Sequence, residues 1–541
     1  AHAAGWGGGA LGWLGRGWGI AAGLLALHLL LALLAFDPTP HTGGDNAAYI
    51  ALGRSLLERG AYLELYDPAT PPHTQYPPAF PALLALAQAV GVTSWIGFKL
   101  IIVACSALAV GAAYFWMRRR AGGAAALAVG VLLAASPSVL DLSHWVLSDV
   151  PFWALTMLAL WGYDALEPGE RRRGVLALAI AATVLAYFTR SAGLPLALAA
   201  GGWLLLRHRW RELAVLALAL IPLALAWWLR ARAHGGVDYV NQFWWIDPYT
   251  PELGRIGVGG LVERVLDNSF RYTTVHLPLL LVGGTGTVAV ALSALLTLLA
   301  LVGWGRRLRR PGVAEFFFPL YLGLILVWPA VWSGERFLLP AFPLVLAYGA
   351  EALAWAAARV RAGAALPVGA TVTALVLLVA LPGISQEGER GMTCSALYRT
   401  GERYPCLSPE WRDFFGLAEW ARESLPQDAV IISRKPRLFY GLSGLQGRIY
   451  PLSEDPARFW AMAGEIGAKY VIFDQLGGLS TRYLGPVISA KPERFCTLAL
   501  APGGTAALLG IVPEGEATAG AGSADGRFAP CPESYRRPLP R

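Results

Sequence analysis

Charge is scarce in this chain. Lys, Arg, Asp and Glu together make up 15% of its 541 residues while 55% are hydrophobic, and the mean hydropathy is +0.48. That composition excludes an ordinary water-soluble domain and makes lipid the expected solvent. Cysteine is nearly absent, with five residues, and neither a Cys-x-x-Cys pair nor a histidine cluster points to zinc. No Gly-rich segment has the strand-turn-helix context of a dinucleotide or P-loop site, so no such cofactor is assigned. A continuous basic face is also missing. The formal charge of +8 comes from short clusters between apolar runs, which argues against nucleic acid as a partner. No internal duplication of the transporter kind is visible.

What is present is a series of long apolar runs. Gly19–Phe36, Trp95–Met117, Gly123–Leu140, Ser148–Leu166, Val175–Phe188, Gly193–Leu206, Leu213–Leu229, Gly286–Trp304, Phe316–Trp332, Phe337–Ala358 and Leu366–Leu381 can each cross roughly 30 Å of hydrocarbon as a helix. About eleven transmembrane helices are therefore expected. The first run has neither the polar start nor the small-residue cleavage pattern of a signal peptide and reads as the first membrane helix. Arginine clusters at 118–120, 171–173, 207/209/211, 306/307/309/310 and 359/361 fall in alternate connections, which the positive-inside rule places in the cytoplasm. The alternation requires Ala79–Val90, short and placed behind Tyr76-Pro77-Pro78, to be a juxtamembrane or re-entrant helix. The expected protein is integral to the membrane, of the bacterial inner-membrane kind, with a cytoplasmic N-terminus.

The opposite face then carries two long loops, 37–94 and 230–285, two short connections near Asp141–Leu147 and Thr189–Ala192, and everything after residue 382. The chain divides into a membrane domain, 1–382, and a soluble domain, 383–541, with the composition changing over Pro382–Pro409. In the second part Phe414–Ser424 and Asp455–Ile466 have helical patterns, and Ala429–Ser433 and Tyr470–Asp474 are strand-like, so a small α/β domain is expected. Cys394, Cys406, Cys496 and Cys531 all lie there, while Cys105 lies inside an apolar run. Two disulfides account for the four, with the pairing open, and suit a periplasmic or extracellular compartment. From Glu514 onward the tail reads as loosely ordered except where Cys531 holds it.

The sharpest chemical signal is His41-Thr-Gly-Gly-Asp45-Asn-Ala-Ala-Tyr49. A carboxylate on a Gly-Gly turn just outside the first helix is either a general base or the N-cap of the helix that follows. Arg190 and Arg336, isolated in short outer connections, oppose the topology rule and are costly near the bilayer. A lipid phosphate explains them better than snorkelling to the interface, although Glu335 is an alternative partner for Arg336. Arg54 and Lys99 are lesser phosphate candidates. Asp149, ahead of Pro151, either caps its helix or, with His144, positions substrate. A divalent cation held by Asp45 and Asp149 with His144 is the cofactor alternative. In Phe243-Trp244-Trp245-Ile-Asp247-Pro248-Tyr249, Trp244 and Trp245 are candidate sugar contacts or members of an interfacial aromatic belt.

An outer-loop Asp after the first helix, a helix ending in Gly60-Ala-Tyr62, then Tyr76-Pro77-Pro78-Ala79-Phe80-Pro81 resembles the polyprenyl-phosphate-dependent glycosyltransferases of the GT-C fold. That superfamily contains the protein O-mannosyltransferases and the lipid A aminoarabinose transferases. The resemblance covers the helix order of the membrane region and implies a catalytic role for Asp45 and a substrate-side position for Tyr76. Members also carry an acidic residue near Asp149. Two departures stand out: Asn46 replaces the second acid of the mannosyltransferases, and Gln75-Tyr76 replaces the aminoarabinose enzymes' Lys before the Pro pair.

The resemblance implies an inverting glycosyltransferase with a polyprenyl-phosphate sugar donor, a lipid, polysaccharide or protein acceptor, and membrane lipid as its surroundings. The soluble domain would select or position the acceptor. The competing readings are a lipid-linked substrate transporter or flippase, which needs midplane polar segments, and a non-catalytic subunit that keeps the fold.

Overall fold

The computed structural model describes residues 9–166, 173–236, 239–515 and 528–537. In lipid every backbone N–H and C=O must be bonded within its own segment, so long apolar runs become helices. All eleven runs are mainly helical, with Gly123–Leu140, Phe316–Trp332 and Phe337–Ala358 each interrupted, at 135–136, 328–329 and 339–341. The first part of the chain gives α1 (Gly9–Leu34), α2 (Gly44–Arg59), α3 (Ala79–Ala89), α4 (Trp95–Ala134), α5 (Pro137–Leu142), α6 (Asp149–Asp164), α7 (Arg173–Thr189), α8 (Leu194–Leu206) and α9 (Trp210–Ala233). Then come α10 (Tyr239–Trp244), α11 (Val258–Arg271), α12 (Leu277–Val282), α13 (Thr287–Arg307), α14 (Val313–Val327), α15 (Glu335–Leu338), α16 (Phe342–Val360) and α17 (Ala365–Arg399). Among the described residues five of these, α1, α4, α9, α13 and α17, are long and apolar enough to cross a membrane by length and composition. Shorter apolar helices complete the bundle. Two of the predicted runs share α4, which is broken at Gly122, where φ is 86°, a left-handed conformation that glycine adopts at little cost.

Helix α3 has 11 residues, about 16 Å of helix, too short to cross. It lies against α2, with Gln88 Nε2 donating to the Ile50 carbonyl at 3.3 Å. At the arginine-rich end of the bundle Arg120 is buried between Asp164 (3.0 Å), Glu315 and Glu351 (3.8 Å). Arg171 and Arg172 of the predicted clusters lie outside the described residues.

The composition change at Pro382 does not end a helix. Helix α17 has 35 residues and runs through Pro382, so the composition changes there without a turn of the backbone. Its far end is tied by a Cys394–Cys406 disulfide. Where it crosses α1 the backbones touch: a Cβ on Gly391 would stand 2.3 Å from the Ala35 carbonyl carbon.

Beyond it lie α18 (Pro409–Ser424), β1 (Ile431–Ile432), α19 (Pro436–Ser443), β2 (Gly447–Arg448), α20 (Pro456–Glu465), β3 (Tyr470–Asp474), α21 (Gly485–Ala490), β4 (Phe495–Leu500) and β5 (Ala506–Ile511). The sheet order is β2-β1-β3-β5-β4, parallel across β2-β1-β3 and antiparallel across β3-β5-β4. This is the expected α/β domain; the β4–β5 hairpin has no counterpart among the predicted strands. One apolar layer, including Phe414, Phe415, Leu438 and Phe439, covers one sheet face, and Phe459, Tyr483 and Leu484 belong to a second layer on the other. The Cys496–Cys531 disulfide holds the described tail on β4, where the Thr497 N–H donates to the Ala529 carbonyl and the Thr497 carbonyl accepts from the Cys531 N–H.

One contact between the domains sets up everything that follows. Ala47 of α2 belongs to the same apolar layer as α19, and a Cβ on Gly441 would sit in ordinary contact, 3.4 Å, with that of Ala47. The first turn of α2 therefore meets the second turn of α19.

Candidate active site

Asp45 does not cap α2. The N-cap is Gly43, with no side-chain bond to the helix, and Asp45 lies in the first turn with its side chain 40% exposed. Asp45 Oδ1 accepts from the Tyr76 hydroxyl at 2.8 Å. The same phenolic oxygen accepts from Arg437 Nη1 at 3.0 Å, and that nitrogen is 3.7 Å from Asp45 Oδ1. Tyr76 is built in from behind. Its N–H donates to His73 Nε2 at 2.8 Å, His73 Nδ1 meets Glu64 at 2.7 Å, and Tyr62 donates to the Tyr76 carbonyl at 3.0 Å. Arg437 spans the Tyr66 and Tyr76 rings at 5.4 and 5.7 Å.

The charges follow from this geometry. Burial alone would push the Asp45 carboxyl up, but Arg437, Arg336, the Tyr76 hydrogen bond and Lys435 outweigh it and hold Asp45 below the usual carboxylate range. Burial, then the Asp45 charge, pushes the Tyr76 phenol up, so it remains a donor. His41 is pushed down to about 3 by burial and by Lys99, Arg336 and Arg390. The neutral ring accepts at Nδ1 from the Gly43 N–H at 2.8 Å, which fixes the Gly-Gly turn.

Asp45, Tyr66, Tyr76 and Arg437 open onto a cavity of about 790 Å³ between bundle and soluble domain. On its bundle wall Arg190 pairs with Asp149 at 2.9 Å and bonds Ser148 Oγ at 3.2 Å. Arg336 also lines it, stacked on Phe337 with 4.7 Å to the ring centroid. Glu335, the alternative partner for Arg336, is 3.5 Å from His276 instead. On the soluble-domain wall are Arg434, Lys435, Arg437 and Arg448. Tyr239, Tyr249, Trp328 and Trp332 supply aromatic surface.

With 93% of its length superposed on 98% of ArnT from Cupriavidus metallidurans, the chain is 14% identical to that protein at a TM-score of 0.55. The Archaeoglobus fulgidus oligosaccharyltransferase in complex with Zn and sulfate matches 91% of the chain over 74% of its own, with 14% identity and a TM-score of 0.56. The chain has the GT-C fold. ArnT bound to undecaprenyl phosphate (14% identity, TM-score 0.55, 93% of this chain and 99% of that one) gives the same result. No family model matches, and no curated protein matches.

Within this GT-C framework the other sequence candidates separate. Lys99 is buried off the cavity, its ammonium donating to the carbonyls of Asp37 (2.6 Å) and Thr39, so it ties down the first loop. Arg54 is 47% exposed and pairs with Glu58 at 3.6 Å; it is not part of the cavity wall. His144 packs on Phe36, 5.6 Å between ring centroids, behind the wall. Trp244 and Trp245 are outside the lining too, while Tyr239, Gln242 and Tyr249 of the same loop belong to it. Asn46 is fully buried and turned to His41 at 3.2 Å, away from the cavity. Asp149 does not cap α6, whose N-cap Ser148 makes no side-chain bond.

The residues present do not fit a divalent ion at Asp45 and Asp149. Asp45 is engaged by Tyr76 and Arg437, Asp149 by Arg190, and His144 is not on the wall. Elsewhere among the described residues, Asp37, Cys394 and Cys406 bring three potential ligand atoms together, but the two sulfurs are joined to each other.

The sequence reading missed the soluble-domain cations. The available signal was Ser433-Arg434-Lys435-Pro436-Arg437, a basic run at a strand-to-helix turn, on the face where the topology rule calls for no cluster.

Proposed function

We propose that this protein transfers a monosaccharide, with inversion, from a polyprenyl-phosphate carrier to an acceptor hydroxyl at the outer membrane face. The observation that carries the reading is Asp45: an ionised carboxylate with one oxygen fixed by Tyr76, opening onto a cavity that also displays Arg336. In the proposed step the acceptor oxygen bonds to the anomeric carbon as the bond from that carbon to the phosphate oxygen breaks. The electron pair leaves on the phosphate and the hydroxyl proton passes to Asp45. A base in hydrogen-bond reach supplies typically 10²- to 10⁴-fold, and a waiting cation stabilises the charge that develops on the leaving phosphate. Arg336, stacked and without an ion pair among the described residues, is assigned that contact. Arg190, already neutralised by Asp149, orients the donor through Ser148 and its remaining donors. The neighbours support the reading: ArnT was solved with undecaprenyl phosphate, and the archaeal oligosaccharyltransferase AglB with a dolichol-phosphate and an inhibitory peptide. The aromatic wall suits a sugar ring. The acceptor is a lipid, polysaccharide or protein.

The test is transfer of radiolabelled sugar from a panel of polyprenyl-phosphate monosaccharides to membrane extract by wild type and Asp45→Asn of equal folding. Transfer by the wild type, reduced at least about 10²-fold in Asp45→Asn, is expected. Equal transfer by both removes Asp45 from the mechanism.

A further inference from the structure

The cavity wall carries six cations, Arg190, Arg336, Arg434, Lys435, Arg437 and Arg448, and three carboxylates, Asp45, Asp67 and Asp149, an excess of three positive charges in a partly enclosed space. Three of the cations are compensated: Arg190 by Asp149, Arg448 by Asp67 at 2.9 Å and Arg437 by Asp45 and Glu64. The uncompensated charge falls in two places. One is Arg336 on the bundle wall. The other is the pair Arg434 and Lys435 on the soluble-domain wall, where Arg434 donates to the Leu476 carbonyl and, among the described residues, neither cation makes an ion pair, the buried Asp474 acting on both only from a distance. Burial and then the neighbouring Arg434 charge hold the Lys435 ammonium below the usual lysine range, against the opposing pull of Asp45 and the buried Asp474.

A sugar phosphodiester donor carries one negative charge and satisfies one of these two places. Displacement with inversion puts the leaving phosphate and the attacking hydroxyl on opposite sides of the anomeric carbon. With the donor phosphate at Arg336 on the bundle wall, the pair on the soluble-domain wall of the same cavity remains for the acceptor. Resting on the transferase reading above, we propose that Arg434 and Lys435 form a second anion subsite that holds an acidic group of the acceptor, a phosphate or carboxylate near the hydroxyl to be glycosylated. The acceptor is then an acidic glycan or a phosphorylated lipid, and the soluble domain selects it by charge.

The test is a binding experiment with the full-length protein in zwitterionic nanodiscs, using undecaprenyl phosphate, inorganic phosphate and glucuronate as probes in titration calorimetry. With undecaprenyl phosphate saturating, the wild type is expected still to bind inorganic phosphate or glucuronate. Lys435→Gln, alone or with Arg434→Gln, should weaken that second binding by about tenfold or more, the scale of one lost charge-assisted contact. It should leave undecaprenyl phosphate affinity within about twofold. Arg336→Gln should do the reverse, and Lys435→Arg should restore the second binding, which separates lost charge from a misfolded wall. Undecaprenyl diphosphate is the arm that distinguishes the sources. If it excludes inorganic phosphate where the monophosphate does not, and Lys435→Gln weakens the diphosphate alone, the subsite belongs to a diphosphate donor and the acceptor assignment is overturned. Displacement of the small anions by undecaprenyl monophosphate, or no second binding at all, also overturns it. A wild type that binds small anions through Lys435 but no undecaprenyl phosphate supports the subsite and removes the lipid donor instead.

Discussion

The Tyr76 hydroxyl lies between Asp45, to which it donates at 2.8 Å, and Arg437, from which it accepts at 3.0 Å. On the transferase reading Arg437 is a positioning residue, acting on Asp45 directly as a charge and indirectly through the phenol. Because Asp45 is held below the ordinary carboxylate range, transfer by the wild type should be insensitive to pH down to about 4, the usual aspartate value. Arg437→Met removes the largest cationic influence on Asp45, so its carboxyl must rise and the acid limb of kcat/KM must move to higher pH. The rate above that limb should also fall, by about tenfold as an order of magnitude, since the base is less well held. An unmoved acid limb with a lowered plateau would assign Arg437 a purely structural role. His41, pushed down to about 3, should contribute no limb near neutrality.

Arg336 and Lys99 should separate cleanly. Arg336→Gln is expected to weaken undecaprenyl phosphate binding by about 10- to 100-fold, the worth of a hydrogen bond to a charged group, with little change in stability. Lys99→Met leaves the buried carbonyls of Asp37 and Thr39 without their donor and should lower stability by about 1–3 kcal/mol, without weakening the lipid at the cavity. Melting and lipid titration of both variants in the same detergent check the pair.

Alkylation of the unreduced, unfolded protein should label Cys105 alone, the one free cysteine. The two bridges close separations of 12 and 35 residues, for which the chain-entropy account gives about 3 and about 4 kcal/mol. Removing Cys496–Cys531 should therefore cost the more, and should release the tail from β4 to proteolysis.

At the far end of the bundle, Arg120→Met strands Asp164 and Glu315 as buried carboxylates. A loss of about 3–5 kcal/mol is expected, measurable as reduced yield and melting temperature. Arg120→Met combined with Glu315→Gln should recover part of it, since the second change removes one stranded charge.

The membrane architecture was legible because lipid leaves a long apolar run no alternative to a helix, and the short run at 79–90 was legible because length alone bars it from crossing. The surroundings of Asp45 were not legible: on local pattern a first-turn aspartate and a cap look alike, and its partners Tyr76 and Arg437 are distant in sequence. At Pro382 the composition changes without a turn of the backbone, since α17 continues through it to Arg399, and composition alone does not show which of the two a segment marks. Arg54 and Lys99 drew attention as charges near the outer face, yet one is solvated and the other fastens a loop. Arg437 was invisible as a site residue, since nothing near it in sequence reveals that α19 packs on α2.

The positioning arginine and its phenol are 361 residues apart, and that separation has a consequence for biogenesis. A ribosome delivers Asp45 and Tyr76 early and Arg437 near the end, so a partly made chain carries a carboxylate without its cation and a cavity without its second wall. On the transferase reading, a chain still lacking its C-terminal domain would hold neither the Asp45–Arg437 contact nor the second cavity wall, and is expected not to transfer sugar.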